Sequence, residues 1–329
     1  MVSVLGGAGN VVNIVTFVAM GVGESMAVFF LVLAVFDLSY LLAMFFVAVC
    51  YMFSWLEKSS QYRLWFPVDA DGVAAFCAHV GTILYTMTIL ATTYMGVVRC
   101  LGVVKPMHFR NGLTRNLTLS VFFVFFLFAL LSYIPMLPFI VMWVSPLREK
   151  VKDIIWLVRD AILPFAAQVI VFTCALVMSV YLKAAANFRS ANTTAVSHDQ
   201  SQNSSQNNTE DIKWKENKRL LKRSPNLSRK DVHVIQQLVL VCLVFVVFNT
   251  PRVVFSLASL AEDELSLGGV YQYIYITASS VMFVSQALNS SLNIFIYYHY
   301  SSSYRRHLLA ITSSSTTTTA TATDGTCWP

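Results

Sequence analysis

The residues best equipped for chemistry in this chain are the few polar ones set inside long apolar runs. Asp37 sits in LAVFDLSYLL with apolar residues on both sides. A carboxylate at the centre of a membrane helix costs about 2.5–3.5 kcal/mol on insertion scales, so it needs a donor, a cation or a proton. Asn289 and Asn293, in ALNSSLNIFIYY, are four residues apart and share a helix face. Ser290, Ser291 and Tyr297 extend that polar seam. Asn10 lies in GNVVNIVTF, Arg99 closes a long apolar run where its charge can reach the rim, and Arg252 follows Pro251 well inside another run. Each residue taken alone reads most simply as hydrogen-bond glue between helices. The combination is more specific, because helices 1, 2 and 7 each bring a central polar group and helix 3 brings an arginine at one rim.

Catalysis is not what these residues spell. The sequence has no Gly-x-Ser-x-Gly, no HExxH and no paired catalytic carboxylates. His79, His108, His233 and His299 are scattered singly, and the six cysteines form no CxxC pair or metal spacing. No internal repeat and no continuous relay of charges support a transporter.

The elements that must hold these residues follow from composition. Of 329 residues, 56% are hydrophobic and 12% charged, with a mean hydropathy of +0.62. A soluble domain carries roughly a quarter charged residues, so lipid is the solvent that fits. The expected fold is an all-α membrane protein, a seven-transmembrane helix bundle over residues 1–310. Its helices are expected near 2–20, 25–53, 73–103, 116–143, 154–182, 233–260 and 270–298. The chain is expected to begin inside helix 1, since a signal peptide would open with basic residues.

The net charge is +6, and its distribution matters more than its sum: in a lipid-embedded chain it marks topology, not nucleic-acid binding. Fifteen Lys and Arg fall in the 3–4 and 5–6 connections and the tail, against five in the opposite loops. The positive-inside bias then puts the N-terminus outside and the C-terminus in the cytosol. The long 5–6 loop, residues 183–232, is polar and then basic. Its KWKENKRLLKRSPNLSRK run is expected to extend helix 6 and reads equally as an anchor on anionic lipid or a docking surface for a cytosolic partner. The Ser/Thr-rich tail, 311–329, reads as disordered filler ahead of a phosphorylation cluster.

With these residues in view, the chain resembles rhodopsin-like G-protein-coupled receptors, in particular divergent peptide-type or chemosensory receptors of molluscs. Gly9-Asn10 matches the family's helix 1, LAVFD its helix 2, and Arg99 with Pro106 its helix 3 ending. Asn293 and Tyr297 match the ends of its helix 7 motif, and SSSYRRHLL its short amphipathic helix after helix 7. The family's packing switch falls on Ile89, Pro164 and Phe245, with Asn249 and Pro251 in helix 6.

The resemblance implies coupling to a heterotrimeric G protein through Arg99, Lys105, Pro106 and Tyr297, with arrestin as a second cytosolic partner. It implies no cofactor beyond an allosteric sodium ion held by Asp37, Asn289 and Asn293. An extracellular ligand, a peptide or small molecule, would sit near Gly81, Tyr85, Asp160, Arg252 and Phe283. Gly81 and Ala287 stand where amine receptors carry Asp and opsins carry Lys, so amine and retinal ligands are not expected. Arg252 binds either a ligand carboxylate or, as the favoured reading, Asp160.

The departures also carry expectations. Val98 replaces the acid beside Arg99, which predicts raised basal activity. Asn249 stands in place of a tryptophan and Ile294 in place of a proline. The usual outer disulfide is absent, leaving Cys50 as an alternative partner for Cys77. A receptor relative that no longer signals is the competing reading.

Overall fold

In a computed structural model, residues 1–21, 25–59, 69–104, 115–133, 154, 157–199, 229–262, 264–266 and 268–322 are described, and they are almost entirely helical. The helices are α1 (Val2–Met20), α2 (Ser25–Ser59), α3 (Ala70–Val104), α4 (Arg115–Leu131), α5 (Leu163–Asp199), α6 (Arg229–Ala261), α7 (Gln272–Tyr300) and α8 (Ser302–Ala322). A short π-helical segment, Leu157–Ile162, leads into α5.

Among the described residues, five helices are long and apolar enough to cross a membrane: Val2–Met20, Ala27–Ser59, Ala70–Val104, Leu157–Ala184 and Val234–Ala261. They mark a multi-pass membrane protein. Helices suit lipid because each satisfies its own backbone hydrogen bonds. Asn116–Leu131 is a shorter apolar helix. α7 has the length, but its glutamine, serine and asparagine residues dilute its apolar character. The outward faces are those of a lipid-solvated protein: Phe123 and Phe295 are 61% and 68% exposed.

The helices pack around one another in a closed circuit. α1 lies against α2 and α7, α7 against α6, α6 against α5, and α5 against α3, which returns to α2. α3 also touches α4 and α6, and α8 turns back onto α1 and α7. Two apolar clusters fill the interior. One joins Tyr40 and Met44 of α2 to Tyr85, Ile89, Val171, Phe245 and Ala287. The other joins Phe17, Phe30, Met95, Val98, Leu238 and Tyr297, and is closed by Tyr304 of α8.

Several boundaries differ from expectation. α5 continues past residue 182 to Asp199, since an alanine-rich stretch adds one hydrogen bond per residue to a helix already nucleated in the bundle. The described part of helix 4 ends at Leu131, short of 143. The tail expected to be disordered is helical as far as Ala322. Tyr304 anchors its first turn, and Thr312 and Ser313 hydroxyls bond carbonyls of the preceding turn. The polar core of the 5–6 loop lies outside the described residues.

Two glycines set how closely α1 approaches α7. A Cβ at Gly6 would lie 2.7 Å from Cβ of Ser291, and one at Gly9 3.3 Å from Cγ2 of Ile294. At Gly7 the nearest atom, on Leu38, would be an ordinary 3.8 Å away. Gly6→Ala therefore forces the helices apart and is expected to cost about 1–3 kcal/mol, whereas Gly7→Ala is expected to be neutral or stabilising through helix propensity. Thermal unfolding of the two purified variants checks this, and equal midpoints would refute the close packing.

Candidate functional site

Two buried polar centres occupy different levels of the bundle. The first is built on Asp37. The residue is 0% exposed, and its carboxylate is met by donors from two other helices. Oδ1 accepts from the Thr88 hydroxyl of α3 at 3.1 Å and from the Ser290 hydroxyl of α7 at 2.9 Å. Oδ2 accepts from the Asn293 amide of α7 at 2.8 Å. Hydrogen bonds to an ionised acceptor are about twice as strong as neutral ones, so three of them offset much of the burial cost.

The network continues through α1 to α8. The Asn10 amide donates to the carbonyls of Gly6 at 3.0 Å and Ser290 at 2.8 Å. Asn13 donates to Oδ1 of Asn10 at 3.4 Å and accepts from the Tyr304 hydroxyl at 2.7 Å. A continuous polar path thus runs from the centre of α2 to the helix after α7. Tyr297 lies beside it, fully buried between Phe17 and Phe30, with its hydroxyl unpartnered among the described residues.

Of the expected trio of Asp37, Asn289 and Asn293, the structure joins Asp37 and Asn293 by a direct hydrogen bond. Asn289 is buried but does not bond Asp37, because it lies a full turn from Asn293 and Ser290 takes the nearer place. Thr88 completes the set. Oxygens of Asp37, Thr88 and Ser290, from three helices, are the donor type that suits a hard cation such as sodium.

The second centre surrounds Asp160. The ion pair with Arg252 is formed, Nη2 donating to Oδ1 at 2.7 Å. The other oxygen accepts from Arg159, through Nε at 3.0 Å and through Nη2. All three residues are less than 10% exposed. The Arg159 guanidinium stacks 4.2 Å over the Tyr133 ring, and that of Arg252 lies 5.5 Å from the Tyr85 ring centre. Tyr85 in turn packs on Tyr40, whose hydroxyl donates to Oε1 of Gln286 at 2.9 Å.

Arg159 is the residue the sequence reading did not find. Its neighbour was legible as a partner for Arg252, but adjacent residues on an α-helix point about 100° apart. The π segment widens the turn, and Arg159, Asp160 and Ala161 are all buried. π-Bulges of this kind are frequent at functional sites. Pro164, buried in the first turn of α5, explains a further contact. It has no N–H to offer the carbonyl four residues earlier, and that carbonyl, of Asp160, accepts from the Ser256 hydroxyl of α6 at 2.7 Å instead.

The remaining expected residues divide. Ile89 and Phe245 share one apolar cluster, with Phe283 packed against it. Asn249 is 0% exposed and donates to Oε1 of Gln168 at 3.4 Å, while Gln168 donates to the Thr250 hydroxyl at 2.9 Å. This amide bridge ties α5 to α6 one residue before Pro251. Arg99 is half-buried in the last turns of α3. Lys105 and Pro106 lie outside the described residues.

Gly81 lets α3 approach α2: a Cβ there would meet Cε of Met44 at 2.6 Å. Cys50 and Cys77 are both free thiols, half-buried on neighbouring helices. Among the described residues no group of His, Cys, Asp and Glu is arranged to hold a metal. α7 runs unbroken through Ile294, as expected without a proline.

No family model and no curated protein matches this chain.

Removing one member of a buried ion cluster leaves uncompensated charge and costs about 3–5 kcal/mol. Asp160→Ala is therefore expected to lower the stability of the purified protein by that amount. The triple variant Arg159→Met, Asp160→Leu, Arg252→Met is expected to recover most of it. Urea or thermal unfolding in detergent reads both, and an unaffected Asp160→Ala protein would dismiss the ion cluster.

Proposed function

We propose that this chain is a rhodopsin-like G-protein-coupled receptor of the plasma membrane, with seven spans, its N-terminus outside and its C-terminus in the cytosol. The observation that carries the reading is the Asp37 network. The polar residues that resemble the family's motifs on helices 1, 2 and 7 lie far apart in sequence, yet Asn10, Asp37, Ser290 and Asn293 meet in one buried chain of hydrogen bonds. Ile89 and Phe245, the expected switch residues of α3 and α6, belong to one apolar cluster.

The arrangement supplies a mechanism. Ligand entering from the outer side meets the Asp160 level of α5 and α6, close to Pro164 and Pro251. Both helices lack a backbone hydrogen bond there, so each bends more readily than a regular helix. The Gln168 bridge makes α5 and α6 respond together. The inner half of α6 shares apolar clusters with α3, Phe245 with Ile89 and Val241 with Met95, and repacking there opens the cytosolic end near Arg99 for a G protein. Sodium bound beside Asp37 adds a positive charge that favours the arrangement in which α2, α3 and α7 converge. Ligand drives the change only by binding the open arrangement better.

Val98 fits a receptor with raised basal output. It is buried against α4 and α6 instead of presenting an acid to Arg99, so the resting state lacks one restraint.

Nucleotide exchange on a panel of G proteins, in membranes carrying the chain, tests the reading. Exchange above that of empty membranes is expected without added ligand. It should fall to background in Arg99→Ala and be reduced in Val98→Asp. With the chain at the cell surface, no exchange on any G protein, alone or with tissue extracts, would replace this reading with that of a non-signalling relative.

A further inference from the structure

Among the described residues, the Asp160 centre gathers more positive than negative charge. Two guanidiniums share one carboxylate, and among the described residues no second acid pairs with them. Asp160 spends one oxygen on each arginine, so neither guanidinium makes the two-oxygen pair that satisfies it best. Nη1 of Arg159 is buried and has no partner among the described residues. Excess charge in a dry site is costly and is relieved by an anion.

The uncharged groups around the centre favour the same partner. Nε2 of Gln286 and the hydroxyl of Tyr85 are also buried and unpartnered. Both can donate, and a free nitrogen of Arg159 can only donate. They are linked to the ion cluster by direct contacts, through the Arg252–Tyr85 stack, the Tyr85–Tyr40 ring pair and the Tyr40–Gln286 hydrogen bond. A site that gathers one surplus positive charge and several spare donors lacks an acceptor-rich anion.

We propose that this centre is the recognition site for a carboxylate group, with Arg159 as the residue that binds it and Asp160 as the internal counter-ion that orients both arginines. A carboxylate brings one negative charge and matches the surplus of one. A phosphate monoester carries about −1.5 to −2 at neutral pH and would overshoot it. The side chains packed together beside the centre, Tyr40, Tyr85, Met44 and Phe283, are aromatic and apolar, so the carboxylate is carried on an apolar body. It is either the free C-terminus of a hydrophobic peptide or a small monocarboxylic acid. The assignment of this level to a ligand rests on the receptor reading; the charge balance does not.

The test is thermal unfolding of the full chain in nanodiscs with defined probes. These are aliphatic and aromatic monocarboxylic acids set beside their methyl esters, and hydrophobic tetrapeptides with free or amidated C-termini. Members of one acid series should raise the unfolding midpoint in a saturable way while their esters or amides do not, and which series acts distinguishes the two sources. Arg159→Gln should weaken that binding about 10- to 100-fold, the range expected for losing a charge-assisted hydrogen bond, and Arg159→Lys should lose less.

Esters and amides acting as well as acids, unchanged binding to Arg159→Gln, or no stabilisation by any acid would each overturn the proposal. Binding is read here without a G protein. Acid binding by a chain that drives no nucleotide exchange would keep the carboxylate site and remove the receptor reading. Exchange driven only by neutral ligands would do the reverse.

Discussion

A single buried carboxylate constrains most of this bundle. Asp37 lies in the middle of an apolar helix, where water cannot solvate it, so its oxygens must be met by other helices. Thr88 and Ser290 reach one oxygen and Asn293 the other. Those three contacts fix the rotation of α3 and α7 about their own axes, since each helix must turn its polar stripe toward α2. The Ser290 carbonyl then fixes α1 through Asn10, and the small side of α1 at Gly6 and Gly9 permits the approach that this bond requires. Asn13 passes the constraint to Tyr304 and so orients α8.

The second charged centre, around Asp160, governs the other end. It does for α5 and α6 what Asp37 does for α2, α3 and α7: two elements are held by groups that lipid would not tolerate alone. The difference lies in balance. The Asp37 carboxylate has a neutral donor on each oxygen from another helix, as befits a structural joint. Among the described residues, the Asp160 cluster has a surplus cation, and buried donors without a partner are linked to it. Prolines weaken both helices at this level, so the less balanced centre is also the more deformable one.

Much of this was legible in the sequence, and the reasons are physical. A lone Asp, Asn or Arg in an apolar run is expensive, so Asp37, Asn10, Asn293 and Arg252 announce themselves. The pairing of Arg252 with Asp160 followed from the rule that buried charges are paired. What stayed hidden were groups with a local alternative. Thr88 could have bonded its own helix, as Thr82, Thr86 and Thr93 do, and nothing in the sequence separates it from them. Arg159 did not stand out because its burial depends on a π-helical turn that leaves no mark in apolar periodicity. Asn289 shares a helix face with Asn293 but does not share its bond to Asp37. The helix through the Thr-rich tail was missed because its stability comes from one anchored end and not from propensity.

Whether Asp37 is bonded across helices is measured most directly by a double-mutant cycle between Asp37 and Asn293. Asp37→Ala, Asn293→Ala and the pair would be made in the full chain and their unfolding free energies compared. A coupling energy above about 1 kcal/mol is predicted for a charge-assisted bond in a dry interior. Additivity within about 0.3 kcal/mol would mean that the two side chains do not interact and would remove the joint on which this description of the bundle depends.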